Sequence, residues 1–148
     1  MAYQDISKWM AQEFGYPVPE EYKSFLEKGD FNTTVGLYYV IDREAEMALE
    51  ISEWYKYDNL LSVYKNCCDE GMIENYHIPI FDSCGCVVVI DCNPQGDSYG
   101  QVFMRTPTGY FDEELQRNVY LEFDYVANSF AEILSNLITV DELEEMGL

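Results

Sequence analysis

The segment Ile78 to Cys92, IPIFDSCGCVVVIDC, constrains the fold more than any other part of the sequence. Two apolar runs rich in β-branched residues flank DSCG, a cluster of turn formers, and this is the pattern of two strands joined by a tight turn. On a strand, side chains alternate, so Cys86, Val88, Ile90 and Cys92 point one way while Val87, Val89 and Asp91 point the other. With NYHIPIF before it, and YGQVFM and NVYLEF after it, CVVVIDC predicts an antiparallel meander of four short strands.

The alternation sets two of the cysteines on an apolar face, where a free thiol packs as a small hydrophobe. Zinc would need four Cys or His ligands, commonly with a C-x₂₋₄-C knuckle; the chain offers C-x-C, the adjacent pair Cys67 and Cys68, and His77. There is no C-x-x-C for redox work. His77 is the single histidine and precedes IPI in a strand, a position that suits a structural role better than a general base. DCNPQG, from Asp91 to Gly96, begins like a calcium loop, but Val102 stands where the bidentate glutamate belongs, so it reads as a turn. Neither a phosphate loop nor a nucleophile elbow is found. The reading is therefore a chain with no catalytic residue, no cofactor and no metal site.

Around the meander, Asp5 to Phe14 places Ile6, Trp9, Met10 and Phe14 at helical spacing, with Asp5 as cap and Gly15 as stop. A second helix opens at Pro19, with Glu20 and Glu21 in its first turn, Tyr22, Phe25 and Leu26 on one face and Gly29 past its end. Thr34 to Asp42 reads as a strand. Residues 43 to 57 fit a strand with Met47, Leu49 and Ile51 inward, or a helix stacking Met47, Ile51 and Trp54; the strand, paired with its predecessor as a hairpin, is the reading adopted. Asp58 is placed to cap a helix with Leu61, Tyr64 and Cys68 on one face and Gly71 at its end. DYVANSFAEILSNLI reads as one helix with a stripe of Val126, Phe130, Ile133, Leu134 and Leu137, followed by a Thr139 and Glu142 capping box.

At 148 residues and 48% apolar content the chain suits one domain, residues 1 to 148, with a real core. Against 28 acidic side chains stand 8 basic ones, a net charge of −20 that repels nucleic acid and anionic membranes and favours a basic partner. The N-terminus lacks a signal peptide's basic start, and no apolar run approaches the ~20 residues that span a bilayer. An odd number of cysteines, five, does not resemble a secreted disulfide framework. The compartment these features predict is the cytoplasm, with reduced thiols.

The order of these features resembles the SMI1/KNR4 family of the SUKH superfamily. The resemblance rests on a Pro-led helix with Tyr22, Phe25 and Leu26, and on the IPI strand Ile78 to Ile80. It also rests on the glycine turn and apolar strand Gly85 to Asp91, on Gly100 to Phe103, and on Ala127 to Phe130. It implies an α+β fold, a curled antiparallel sheet with helices packed on it. It also implies a non-enzymatic role: many bacterial members are immunity proteins that neutralise a cognate toxin domain, often a nuclease, while fungal relatives act as adaptors. The expected function is masking of a basic toxin's active cleft, and the alternative is an adaptor or regulatory scaffold; an enzyme or metalloprotein built on the cysteines and His77 is the third. From polarity alone, the expected partner contacts are Glu44, Glu46 and Glu50 on the outer face of the first hairpin, Trp54, Tyr55 and Tyr57 near its end, and Asp112, Glu113 and Glu114 in a loop.

Overall fold

A computed structural model describes residues 6–28, 37–42 and 47–147. Helix α1 (Ile6–Glu13) ends before Gly15, whose φ of +75° lets the chain turn out of the helix. The Asp5 cap lies outside the described residues. Helix α2 (Glu20–Lys28) starts with two carboxylates against its positive end and buries Tyr22, Phe25 and Leu26, as their spacing predicts. Pro19 sits one place earlier than expected: its carbonyl accepts from the N–H groups of Tyr22 and Lys23, both at 3.2 Å. Gly29 lies outside the described residues, as does the first part of the strand read from Thr34.

Strands β1 (Tyr38–Asp42) and β2 (Met47–Glu50) pair antiparallel with Tyr39 opposite Leu49, so the strand reading of this region is correct. Leu49 and Ile51 are buried as expected, but Met47 is 50% exposed. Met47 pairs with Asp42 at the end of the ladder, beyond a bulge in β1 between Val40 and Asp42. After β3 (Glu53–Trp54) comes α3 (Tyr57–Asp69), which begins ahead of Asp58; Lys56 holds the cap position, and its N–H donates to Asn59 Oδ1 at 2.8 Å. The helix buries Leu60 and Tyr64, and Phe14 packs edge-on against Tyr64 at 4.7 Å.

β4 (His77–Ser83) and β5 (Cys86–Asp91) form the hairpin that the sequence most strongly predicts. Cys84 and Gly85 take φ values of 50° and 91°, the paired positive angles that let a two-residue turn follow the twist of its strands. Beyond it lie β6 (Val102–Arg105), β7 (Gly109–Asp112), β8 (Arg117–Tyr120), β9 (Asp124–Ala127), α4 (Phe130–Ser135), β10 (Leu137–Ile138) and α5 (Val140–Glu145). Among the described residues the main sheet has the order β3-β4-β5-β6-β9, a smaller one the order β10-β1-β2, and β7 and β8 pair only with each other. The α+β class is as expected, and the Thr139 and Glu142 capping box forms.

Two expectations are overturned together. NVYLEF does not supply the fourth strand of the meander; its Arg117–Tyr120 portion is β8 in the separate hairpin. The fourth strand is β9, drawn from what reads as the start of the last helix. Helix α4 begins only at Phe130, because Ser129 caps it by accepting from the Glu132 N–H at 3.1 Å, and Leu137 lies in β10, opposite Tyr39.

The register divides the main sheet into two faces. Trp54, Phe81, Val88 and Met104 are successive partners on one; Pro79, Val89, Phe103 and Tyr125 are partners on the other. The first face meets the helices through aromatic contacts: Trp54 lies 4.7 Å from Phe25, 5.1 Å from Phe81 and 5.9 Å from Phe130. Both faces of β5 are covered, since Val87, Val88, Val89 and Ile90 are all buried, which explains its unbroken apolar run.

Trp54→Ala is expected to cost about 3–5 kcal/mol, measured by urea denaturation followed by circular dichroism. Its indole Nε1–H is buried without an acceptor among the described residues. Trp54→Phe, which removes that unsatisfied donor, is therefore expected to cost clearly less than the alanine variant.

Candidate functional site

The β7 and β8 hairpin is built from local rules. Tyr110 faces Val119 and Phe111 faces Asn118, and residues 113–116 make the turn. Asp112 Oδ1 accepts from the N–H groups of Glu114 and Leu115 at 2.9 and 3.0 Å, which closes the turn on its own side chain. At the open end, a Cβ on Gly109 would clash with the Val119 carbonyl oxygen, so only glycine permits this approach of the two strands.

A two-stranded ribbon outside both larger sheets has little to pack against, and its side chains show it. Tyr110 is 64% exposed, Phe111 55%, Leu115 54% and Leu121, just past β8, 61%. Tyr110 and Phe111 are consecutive on β7 and so stand on opposite sides of the ribbon, and exposed apolar side chains of this size mark a candidate binding surface. Glu113 and Glu114 stand exposed in the turn between them. Beside Tyr110 a groove of about 170 Å³ is lined by Thr108, Gly109, Val119, Tyr120 and Leu121.

The expected contact residues separate when placed on this geometry. Asp112, Glu113 and Glu114 come together at the hairpin tip, although Asp112 uses one oxygen to hold the turn. Glu50 belongs to another sheet, is half-buried, and accepts from the Cys84 thiol at 3.3 Å. Glu44 and Glu46 lie outside the described residues. Trp54 and Tyr55 are corrected: at 1% and 8% exposure they are core, with no surface to offer a partner. Tyr57 opens α3, and its side chain lies outside what the structure describes. Sequence reasoning missed Tyr110, Phe111, Leu115 and Leu121. The available signal was GYFD and NVYLEF flanking the polar EELQ, with an aspartate at the turn's entry.

The thiols and the histidine are shifted toward their neutral forms. Burial, helped by Glu70, pushes Cys67 up to about 11, and burial with Asp91 pushes Cys92 up to about 12. Burial raises Cys68 and Cys86 as well, and the hydrogen bond to Glu50 raises Cys84. A thiol that keeps its proton is a poor nucleophile. His77 is 5% exposed, and its Nδ1 accepts from the Glu74 N–H at 3.0 Å; burial and then Arg105 lower its pKa to about 4. No group of three or more His, Cys, Asp or Glu among the described residues is arranged to hold a metal ion. In DCNPQG, Asp91 Oδ1 and Asn93 Oδ1 accept from the N–H groups of Asn93 and Gln95, as a turn requires.

Residues 4–136 match the sequence model of the SMI1 / KNR4 family (SUKH-1). The chain belongs to the SMI1/KNR4 family. Among curated proteins no relative matches it. The SMI1/KNR4 match runs from α1 through α4, so it takes in the main sheet and the exposed hairpin. The residues that carry the resemblance, such as Ile78 to Ile80 in β4 and the turn before β5, are apolar or turn positions of the SMI1/KNR4 scaffold, and none of them is on the hairpin.

Gly109→Ala is expected to loosen the hairpin alone. By hydrogen exchange, amide protection in β7 and β8 falls about tenfold or more while that of β4 and β5 is kept.

Stability is also expected to depend on His77. As pH falls below 6.5 the unfolded chain takes up the imidazole proton while the folded one does not until about pH 4. Stability is therefore lost across that window, by up to about 3 kcal/mol, and is unaffected by this group above it. His77→Asn, which keeps an acceptor for the Glu74 N–H, is expected to remove this slope in urea denaturation at pH 7 and pH 4.5.

Proposed function

We propose that this SMI1/KNR4 protein is an immunity protein that binds a cognate toxin domain and masks its active cleft. The observation that carries the reading is the hairpin, which presents Tyr110, Phe111, Leu115 and Leu121 beside Glu113 and Glu114. Aromatic side chains bury large area with few rotors and serve as anchors, while carboxylates around them steer a positively charged partner into register. The net charge of −20 acts in the same direction at longer range. A nuclease fits this chemistry well: its cleft is cationic because it holds a phosphate backbone, and an acidic protein seated there excludes substrate by bulk and by charge. No bond-making is required of the inhibitor. The cytoplasm is the compartment in which such neutralisation of an incoming toxin takes place. Among the described residues no helix is long and apolar enough to cross a membrane.

The test uses a basic toxin domain encoded beside this gene, co-expressed and purified with the chain. A salt-sensitive complex and survival of toxin-expressing cells are the expected results. Tyr110→Ala and Phe111→Ala are expected to weaken binding by about 2 kcal/mol or more each, chiefly in the off-rate. Glu113→Lys with Glu114→Lys is expected to slow association and flatten its salt dependence. Full protection by all of these variants would rule out the hairpin as the contact surface. A growth defect on deleting the gene without any toxin present would favour the adaptor role.

A further inference from the structure

On the main sheet's second face, away from Trp54, lies a cleft of about 260 Å³ that the reading above does not use. His77 and Asp91 are cross-strand partners at its floor, and Phe103 and Arg105 reach it from β6. Its positive charge comes from Arg105, whose guanidinium carbon sits 4.0 Å from the centroid of the Phe123 ring and whose Nη1 donates to the Met72 carbonyl at 2.9 Å. Among the described residues Arg105 has no carboxylate within salt-bridge distance, although Glu122 and Glu74 act on its charge from farther away.

His77 adds a second, independent sign. Because its Nδ1 accepts from the Glu74 N–H, the neutral ring carries its proton on Nε2. That donor has no acceptor among the described residues, although the side chain is 5% exposed and lines the cleft. Tyr76 lines the same wall and is half-exposed. The buried donor of this cleft that lacks a partner among the described residues is Arg105 Nε–H, and such a donor is relieved by a ligand that accepts from it.

Arg105 is the one cation on walls that also carry the Glu74 and Asp91 carboxylates, so a ligand is held by hydrogen-bond donors rather than by net charge, and a dianion such as phosphate is disfavoured more than a single carboxylate. Phe103, Phe123 and Tyr76 supply flat apolar walls, and the volume lies just below the ~300 Å³ at which drug-sized pockets begin, which suits one ring. We propose that this cleft binds a small aromatic monocarboxylate, its carboxylate accepting from Arg105, from His77 Nε2–H and from the Tyr76 hydroxyl, and its ring lying against Phe103 and Phe123.

The experiment is an NMR titration of the ¹⁵N-labelled full chain with phenylacetate. Controls are 2-phenylethanol, which keeps the ring and lacks the carboxylate, and inorganic phosphate. Phenylacetate is expected to give saturable shifts at the amides of residues 76, 77, 103, 105 and 123 with a Kd on the order of 1 mM, and both controls to bind at least about tenfold more weakly. Arg105→Gln is expected to weaken phenylacetate about tenfold. Tyr76→Phe, at a half-exposed position that folding tolerates, is expected to weaken it about threefold and keeps the test open should Arg105→Gln fail to fold. Absence of saturation by about 50 mM, equal binding of 2-phenylethanol, or an unchanged Kd in a folded Arg105 variant or in Tyr76→Phe would overturn the assignment.

Discussion

The contact between Trp54 and the rings of Phe25, Phe81 and Phe130 joins sheet to helices, and the placement of everything else follows from it. Trp54 belongs to a strand of only two residues, held at the sheet edge by Phe81 across the ladder. Its indole is the largest side chain fully buried in the described core. A group of that size gains more from desolvation than the short strand costs in lost conformational freedom, so the edge is anchored by packing more than by hydrogen bonds. With α2 and α4 drawn onto this face, the opposite face keeps room for a cleft, and the β7 and β8 hairpin is left outside the aromatic cluster.

The two open surfaces differ in kind. On the hairpin, apolar side chains face water beside free carboxylates, a combination suited to a large, positively charged protein. The cleft instead sets the Arg105 guanidinium beside His77 and the rings of Phe103 and Phe123, which suits a small acceptor.

Burial also governs the protonation of most of the cysteines and of the histidine. Cys92 sits at the end of β5 with no exposed surface, where water cannot stabilise a thiolate, and His77 is held neutral by the same desolvation. Residue types that read as chemistry in a sequence become packing and hydrogen-bonding groups once the sheet covers them. The hairpin turn at Cys84 is the exception in exposure, yet its thiol proton is committed to Glu50.

What the sequence determined by itself was local. Helix α2, the β4 and β5 hairpin, the Thr139 and Glu142 capping box and the α+β class were all legible, because caps, turn residues and period-two alternation act between residues a few positions apart. The net charge of −20 was legible too. Tertiary structure alone decided which short segment completes the main sheet. Val126, Phe130 and Ile133 share a helical spacing, yet Asp124–Ala127 pairs with β6, past the whole β7 and β8 hairpin, and Ser129 starts the helix afterwards. It also decided that Trp54 and Tyr55 are core while Tyr110 and Phe111 are surface. Aromatic rings look alike in a sequence; which of them find partners depends on pairings between distant segments, and no local pattern encodes those.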